Sequence, residues 1–174
     1  MSLLTLDLAT RLGWTVGEVA DRHFQFGSFT LPSTGADLGK FALPYHQWLH
    51  DMIDRNEVDD VVFEAPVLPR ETQIATVRKL SGLCWHTEFV CAQRGIEVSE
   101  AHQQSVRKFF INSGKGGKLA KALTTDAAKS LGYDVKNDDE ADAIALRFYT
   151  LARKYPAAAA PFDFSLGALG AAAS

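Results

Sequence analysis

The stretch Asn137-Asp138-Asp139-Glu140-Ala141-Asp142-Ala143-Ile144-Ala145-Leu146 constrains this chain most. It opens acidic and turns apolar within two helical turns. Asn137 suits a helix N-cap, and acids in the first turn suit the positive end of the helix dipole. Residues three or four apart share a helix face, so Asp142 stands beside Asp139 and Asp138 while Glu140 points elsewhere. Ile144, Leu146 and Phe148 among alanines fit a helix buried along much of its length. Dipole complementation at a solvated helix end would explain the acids. A metal-binding carboxylate pair would explain them too. The choice turns on whether matching carboxylates occur elsewhere.

Two apolar runs supply them. Leu3 to Leu8 reads as a buried strand interrupted by Thr5 and Asp7. Val58 to Glu64 reads as another, with Val61, Val62 and Phe63 ahead of the acid. A charge at the end of an apolar strand is costly unless it is paired, hydrogen-bonded or bound to metal. Each acid taken singly also fits a turn-capping role. If the two strands are neighbours, Asp7 and Glu64 lie side by side, and the last helix brings Asp139 and Asp142 to them. Four carboxylates that close cannot all stay ionised without a cation. Magnesium, hard and oxygen-seeking, is the natural one.

The remaining elements follow from pattern. Gly13 is expected in a tight turn, Trp14 to Val19 in a second strand, and His23 to Leu31 in a third, closing an antiparallel meander. Leu38, Phe41, Tyr45, Trp48, Leu49, Met52 and Ile53 recur at helical spacing, with Pro44 either a kink or the true start. A long helix is expected from Glu71 to Arg94, a strand from Ile96 to Glu100, and helices over His102–Ile111, Lys118–Leu131 and Asn137–Lys154. The order, a meander and then alternation, gives an α/β domain with a mixed sheet covered by helices. That domain is expected over residues 1–154, with an Ala-, Pro- and Gly-rich tail, frayed, over 155–174.

Composition excludes little. With 47% hydrophobic and 22% charged residues, the chain is ordinary for a globular protein. No apolar run approaches a membrane span and no targeting segment opens the chain, so a cytoplasmic location is expected. Cys84 and Cys91 are two helical turns apart, roughly 10 Å, too far for a disulfide. The net charge of −3 argues mildly against nucleic acid, but residues 105–129 hold Arg107, Lys108, Lys115, Lys118, Lys121 and Lys129 against Asp126 alone.

The layout Leu-Thr-Leu-Asp7-Leu-Ala-Thr-Arg-Leu-Gly-Trp, then Val-Val-Phe-Glu64-Ala-Pro, then Asp139-Glu-Ala-Asp142-Ala-Ile-Ala resembles the RuvC family of Holliday junction resolvases, within the RNase H-like superfamily. It is closer to phage-type members than to the main bacterial type. The resemblance runs from about Ser2 to Tyr149. It implies an RNase H-like five-stranded mixed sheet and a homodimer meeting through the long helix. It also implies Asp7, Glu64, Asp139 and Asp142 as catalytic ligands of two Mg2+ ions, with Mn2+ able to substitute. Asp138 is an alternative to Asp139. There are departures: Leu8-Ala9 replaces the Pro-Gly common after the first acid, and Val67 replaces an aromatic that stacks on DNA bases three positions after the Glu.

The loop Gly114-Lys115-Gly116-Gly117-Lys118 lacks the P-loop pattern, but flexible glycines with lysines could follow a phosphate backbone. A solvated connector is the plainer reading. Lys115 and Lys118 correspond loosely to functional lysines of the family. With Arg107, Lys108 and Lys121 they are the DNA-binding candidates. His46 and His50 are four apart, yet no third zinc ligand is evident. His102 and Ser105 form no recognisable triad.

Together these readings describe a Mg2+-dependent endonuclease of branched DNA, resolving four-way junctions by two-metal hydrolysis; that the cut leaves 5′-phosphate ends is what the resemblance implies. Two symmetric cuts suit a C2 homodimer. A flap or fork nuclease with the same site, and a junction-binding module without catalysis, are the rival readings. An actin-like nucleotide-binding protein would need a second such domain.

Overall fold

The computed structural model describes residues 1–64, 66–67, 71, 73–113 and 116–159. Five strands form one sheet in the order β3-β2-β1-β4-β5. These are β1 (Ser2–Asp7), β2 (Arg11–Glu18), β3 (Gln25–Thr30), β4 (Val58–Glu64) and β5 (Glu97–Ala101). β1, β2 and β3 pair antiparallel as the expected meander, whereas β1–β4 and β4–β5 are parallel. The mixed α/β sheet read from sequence is therefore the observed one. The central strands β1 and β4 are adjacent, and their register sets Asp7 opposite Glu64.

Side chains alternate across a strand, so parity decides what each face holds. Leu4 and Leu6 of β1 and Val61 and Phe63 of β4 face α1 (Leu38–Asn56) and α2 (Ile74–Arg94), packing on Phe41, Tyr45, Leu49 and Leu83. Leu3 and Val62 belong to the opposite core, built with α3 (Gln103–Ile111), α4 (Lys118–Ser130) and α5 (Asp138–Lys154). Asp7 and Glu64 share the parity of Leu3 and Val62, so both fall on the α5 side. α5 is buried along most of its length, as its alanine-rich sequence implies.

Several boundaries differ from the sequence expectation. β2 begins at Arg11, and Gly13 lies inside it, paired with Asp7, not in a turn. The reason is close approach: a Cβ on Gly13 would sit 1.8 Å from the Asp139 carbonyl oxygen. Only glycine lets the mouth of α5 settle on the sheet here. α1 runs through Pro44 after an Asp37 cap that accepts from the Lys40 amide at 3.0 Å. α2 begins at Ile74, three residues after the expected Glu71. Past Lys154, Tyr155 donates its hydroxyl to Asp60 and a short helix, α6 (Pro156–Ala159), follows, where fraying was expected from Tyr155. The expected tail beyond Ala159 lies outside the described residues. Among the described residues no helix is long and apolar enough to cross a membrane.

Candidate active site

The site forms where β1 and β4 end together and α5 begins. Asn137 caps α5 by accepting from the Glu140 amide at 3.0 Å, and Glu140 returns the bond by accepting from the Lys136 amide at 2.8 Å. This cap, with Ser28 and the Asn137 side-chain amide also donating to Glu140, fixes the first turn of α5 against β3. Glu140 is thereby a structural acid, pointing away from the site as its helical position implies.

Three of the four acids read from sequence have no cation in contact among the described residues. Glu64 is 3% exposed. Burial pushes its pKa up to about 7, opposed by a hydrogen bond from Gln103 and the charge of Arg107, and reinforced by Asp142. Asp142, also buried, rises to about 6 through burial, against the pull of Arg107 and Lys121. Asp7 is raised well above the usual carboxylate range by burial, then by the charges of Glu64, Asp142 and Asp139. Asp142 raises Glu64, and Glu64, Asp142 and Asp139 all raise Asp7. The four carboxylates are thus one electrostatic group, with Glu64 facing Asp7 across the β1–β4 pairing.

The other two acids of the first turn differ. Arg11 donates from Nε to Asp139 and from Nη2 to Asp138 at 2.9 Å, while Lys121 of α4 holds Asp138 from the other side. The Lys121 hydrogen bond pulls the Asp138 pKa down. Among the described residues no three His, Cys, Asp or Glu side chains gather tightly enough to enclose an ion. The donor set itself fits a hard divalent cation: four carboxylates, three of them without a basic partner among the described residues, in a site where a positive charge would restore their ordinary acidity.

The basic candidates divide. Lys108, Lys118 and Lys121 are exposed. Arg107 is only 8% exposed and donates to Gln103 Oε1 at 2.7 Å, close enough to Glu64 and Asp142 to influence both. It belongs to the acid cluster rather than to the open surface. Lys115 lies outside the described residues. Sequence reading missed Arg11, Gln103 and Gly13. Arg11 was findable: antiparallel pairing past Asp7 returns the chain to the sheet end where the acids stand. Gln103 and Arg107 sit one helical turn apart, a spacing that marks a shared face but not which neighbour it meets.

The histidines gain a neighbour that sequence spacing did not show. His86 of α2 brings Nε2 to 3.0 Å from His46 Nδ1, and the His46 and His50 rings lie 4.3 Å apart. The contact is imidazole to imidazole, and the group does not enclose an ion. Cys84 and Cys91 are free thiols.

No family model and no curated protein sequence matches the chain. Solved structures do match in shape. Thermus thermophilus RuvC aligns with a TM-score of 0.62 at 17% identity, covering 88% of this chain and 96% of that one. A structure of T. thermophilus RuvC in complex with Holliday junction substrate aligns at 0.66 and 15% identity, covering 89% and 96%. The yeast mitochondrial Holliday junction resolvase Ydc2 aligns at 0.65 and 8% identity, covering 96% of this chain and 83% of that one. The chain has the RNase H-like α/β fold that these RuvC and Ydc2 structures share.

Proposed function

We propose that this protein is a divalent-cation-dependent endonuclease of branched DNA that resolves four-way junctions. The observation that carries the reading is the trio Asp7, Glu64 and Asp142: buried or half-buried, gathered at one sheet end, and without an ion-pair partner among the described residues. A fold does not keep such a group for stability, because burial, and with it the charge of neighbouring acids, raises their pKa at the expense of the native state. Likeness in shape to junction resolvases, one of them solved with a junction, points to the substrate.

Asp7, Glu64, Asp139 and Asp142 would hold two Mg2+ ions, or Mn2+ in their place. When bound, the ions supply the Lewis acidity that activates water for attack on the phosphodiester and stabilises the leaving oxygen. The chain's own part is positional. The parallel register fixes the Asp7–Glu64 spacing, Gln103 orients the Glu64 carboxyl, and Arg107 places a buried positive charge beside the reacting centre. Exposed Lys108 and Lys118, with Lys115, would follow the DNA backbone. Cleavage on this scheme leaves 5′-phosphate ends. A homodimer through α2 would supply the second cut. The exposed, stacked pair Trp85 and Phe89, with rings 5.2 Å apart on that helix, supports such an interface.

Cleavage of synthetic junction, fork and linear duplex DNA, side by side with Mg2+, Mn2+ or Ca2+, tests the reading. Junctions should be cut symmetrically with Mg2+ and Mn2+. Asp7→Asn, Glu64→Gln and Asp142→Asn should remove cleavage and keep junction binding. Full activity in any one of them would overturn the site, and equal cutting of forks would favour the broader nuclease.

A further inference from the structure

We propose that Arg11 is an exchangeable occupant of the cation site, holding Asp139 until a divalent ion takes its place and then turning to the DNA backbone. The inference rests on the carboxylate cluster being a cation site, as read above. Its basis is the uneven treatment of the acids. Among the described residues Asp7, Glu64 and Asp142 have no cation in contact, whereas Asp139 is held by Arg11 Nε and Asp138 is shared between Arg11 Nη2 and Lys121. Asp139 is the deeper of this pair, its side chain 11% exposed, and the Arg11 side chain remains 47% exposed. The guanidinium thus bridges Asp139 and Asp138 at the start of α5 while the side chain stays about half exposed.

The contact occupies Asp139 Oδ2, one of the oxygens the cluster would offer an ion. A carboxylate oxygen that ligates a cation at about 2.1 Å has no room for a guanidinium N–H along the same direction. Loading through Asp139 Oδ2 therefore requires Arg11 to leave that oxygen. Lys121 need not move, since Asp138 can keep it. Asp138 is on this account a dock for Lys121 rather than a ligand, which separates two acids that share a helix face. The released guanidinium stays tethered at the start of β2, beside the reacting centre. Its planar fork of donors suits a phosphate bidentately, where a lysine would offer only a point charge. Cation binding and DNA binding then reinforce each other, and by linkage the reinforcement is reciprocal. A permanent staple between β2 and α5 would couple to neither.

The test uses full-length wild type, Arg11→Gln and Arg11→Lys. Mn2+ uptake without DNA is followed by the electron paramagnetic resonance signal of free Mn2+. Junction affinity is followed by fluorescence anisotropy in Ca2+ and in EDTA. Arg11→Gln should bind Mn2+ at least about fivefold more tightly than wild type, the lower end of ordinary coupling. It should also lose most of the Ca2+-induced gain in junction affinity. Arg11→Lys, which keeps the charge but cannot span both acids, should restore part of that gain, and thermal melts confirm that each variant is folded. Wild type that binds Mn2+ while Arg11→Gln binds it no more tightly, or retains the full Ca2+ gain, overturns the exchange and leaves the cation site standing. Wild type that takes up no Mn2+ overturns both.

Discussion

Strand β4 carries two buried carboxylates on the same face, four residues apart, and the fold treats them in opposite ways. Asp60 is 0% exposed and is met by the Lys154 ammonium at 2.8 Å and the Tyr155 hydroxyl at 2.6 Å. Glu64 is 3% exposed and receives a hydrogen bond from Gln103 but, among the described residues, no ion pair. One helix serves both ends: α5 brings Asp139 and Asp142 to Glu64 and Lys154 to Asp60. At one end the helix supplies the compensating charge; at the other it supplies more of the same sign. Burial alone thus does not mark a functional acid. What marks it is burial that no described residue neutralises with an ion pair.

That contrast predicts opposite outcomes for matched substitutions. Asp60→Ala should be the most damaging, leaving Lys154 and Tyr155 without their acceptor. Removing one partner of a buried pair costs about 3 kcal/mol or more, a fall in melting temperature of several degrees. Glu64→Gln should instead leave the metal-free protein as stable as wild type or more so, by about 1 kcal/mol. Denaturant titrations in EDTA compare the two directly, and equal losses would erase the distinction.

A smaller effect is expected at Gly13, which belongs to neither acid but lets the acidic end of α5 approach the sheet. Gly13→Ala should cost about 2 kcal/mol through overpacking and should reduce cleavage more than tenfold, because Asp139 and Asp142 ride on the displaced turn. Melting curves and cleavage rates at matched folded fraction measure both.

pH sharpens the contrast further. The pKa values of Glu64 and Asp142 are raised in the folded state, to about 7 and about 6. A raised carboxylate pKa means that the folded state holds the proton more tightly than the unfolded chain. The resulting stability is fully present below the unfolded values near pH 4 and is lost as pH rises through about 6 and about 7. Metal-free wild type should therefore lose stability between pH 5 and pH 8 relative to a Glu64→Gln/Asp142→Asn double variant, by about 2 kcal/mol. Urea titrations at both pH values check the sign; a wild type that gains on the variant over this range would contradict it.

The acid end of the molecule was more legible than its surroundings, for physical reasons. Asp7 and Glu64 stood out because a charge closing an apolar run has few cheap explanations, and strand parity then put them on one face. The α5 start was legible from Asn137 and the acids after it, since capping is local chemistry. Gly13 was misplaced in a turn because a glycine that permits close approach looks, in sequence, like one that permits a bend. Arg107 looked like a surface cation because a short helix gives little periodicity from which to judge its buried side. The Asp60 cluster was not legible at all: Asp59-Asp60 reads as a polar strand start, and its partners lie 94 and 95 residues away.

The central claim is that the carboxylates at the sheet end repel one another until a cation joins them. The direct measurement is the melting temperature of wild type and Asp7→Asn, each in EDTA and in millimolar Mg2+. Without metal, Asp7→Asn should melt higher than wild type by a few degrees, on the order of 1 kcal/mol, because one repelling charge is gone. With Mg2+, wild type should gain more than the variant, since only the complete site binds the ion well. An Asp7→Asn protein markedly less stable than wild type in EDTA would make Asp7 a structural cap and contradict the cluster at its first member.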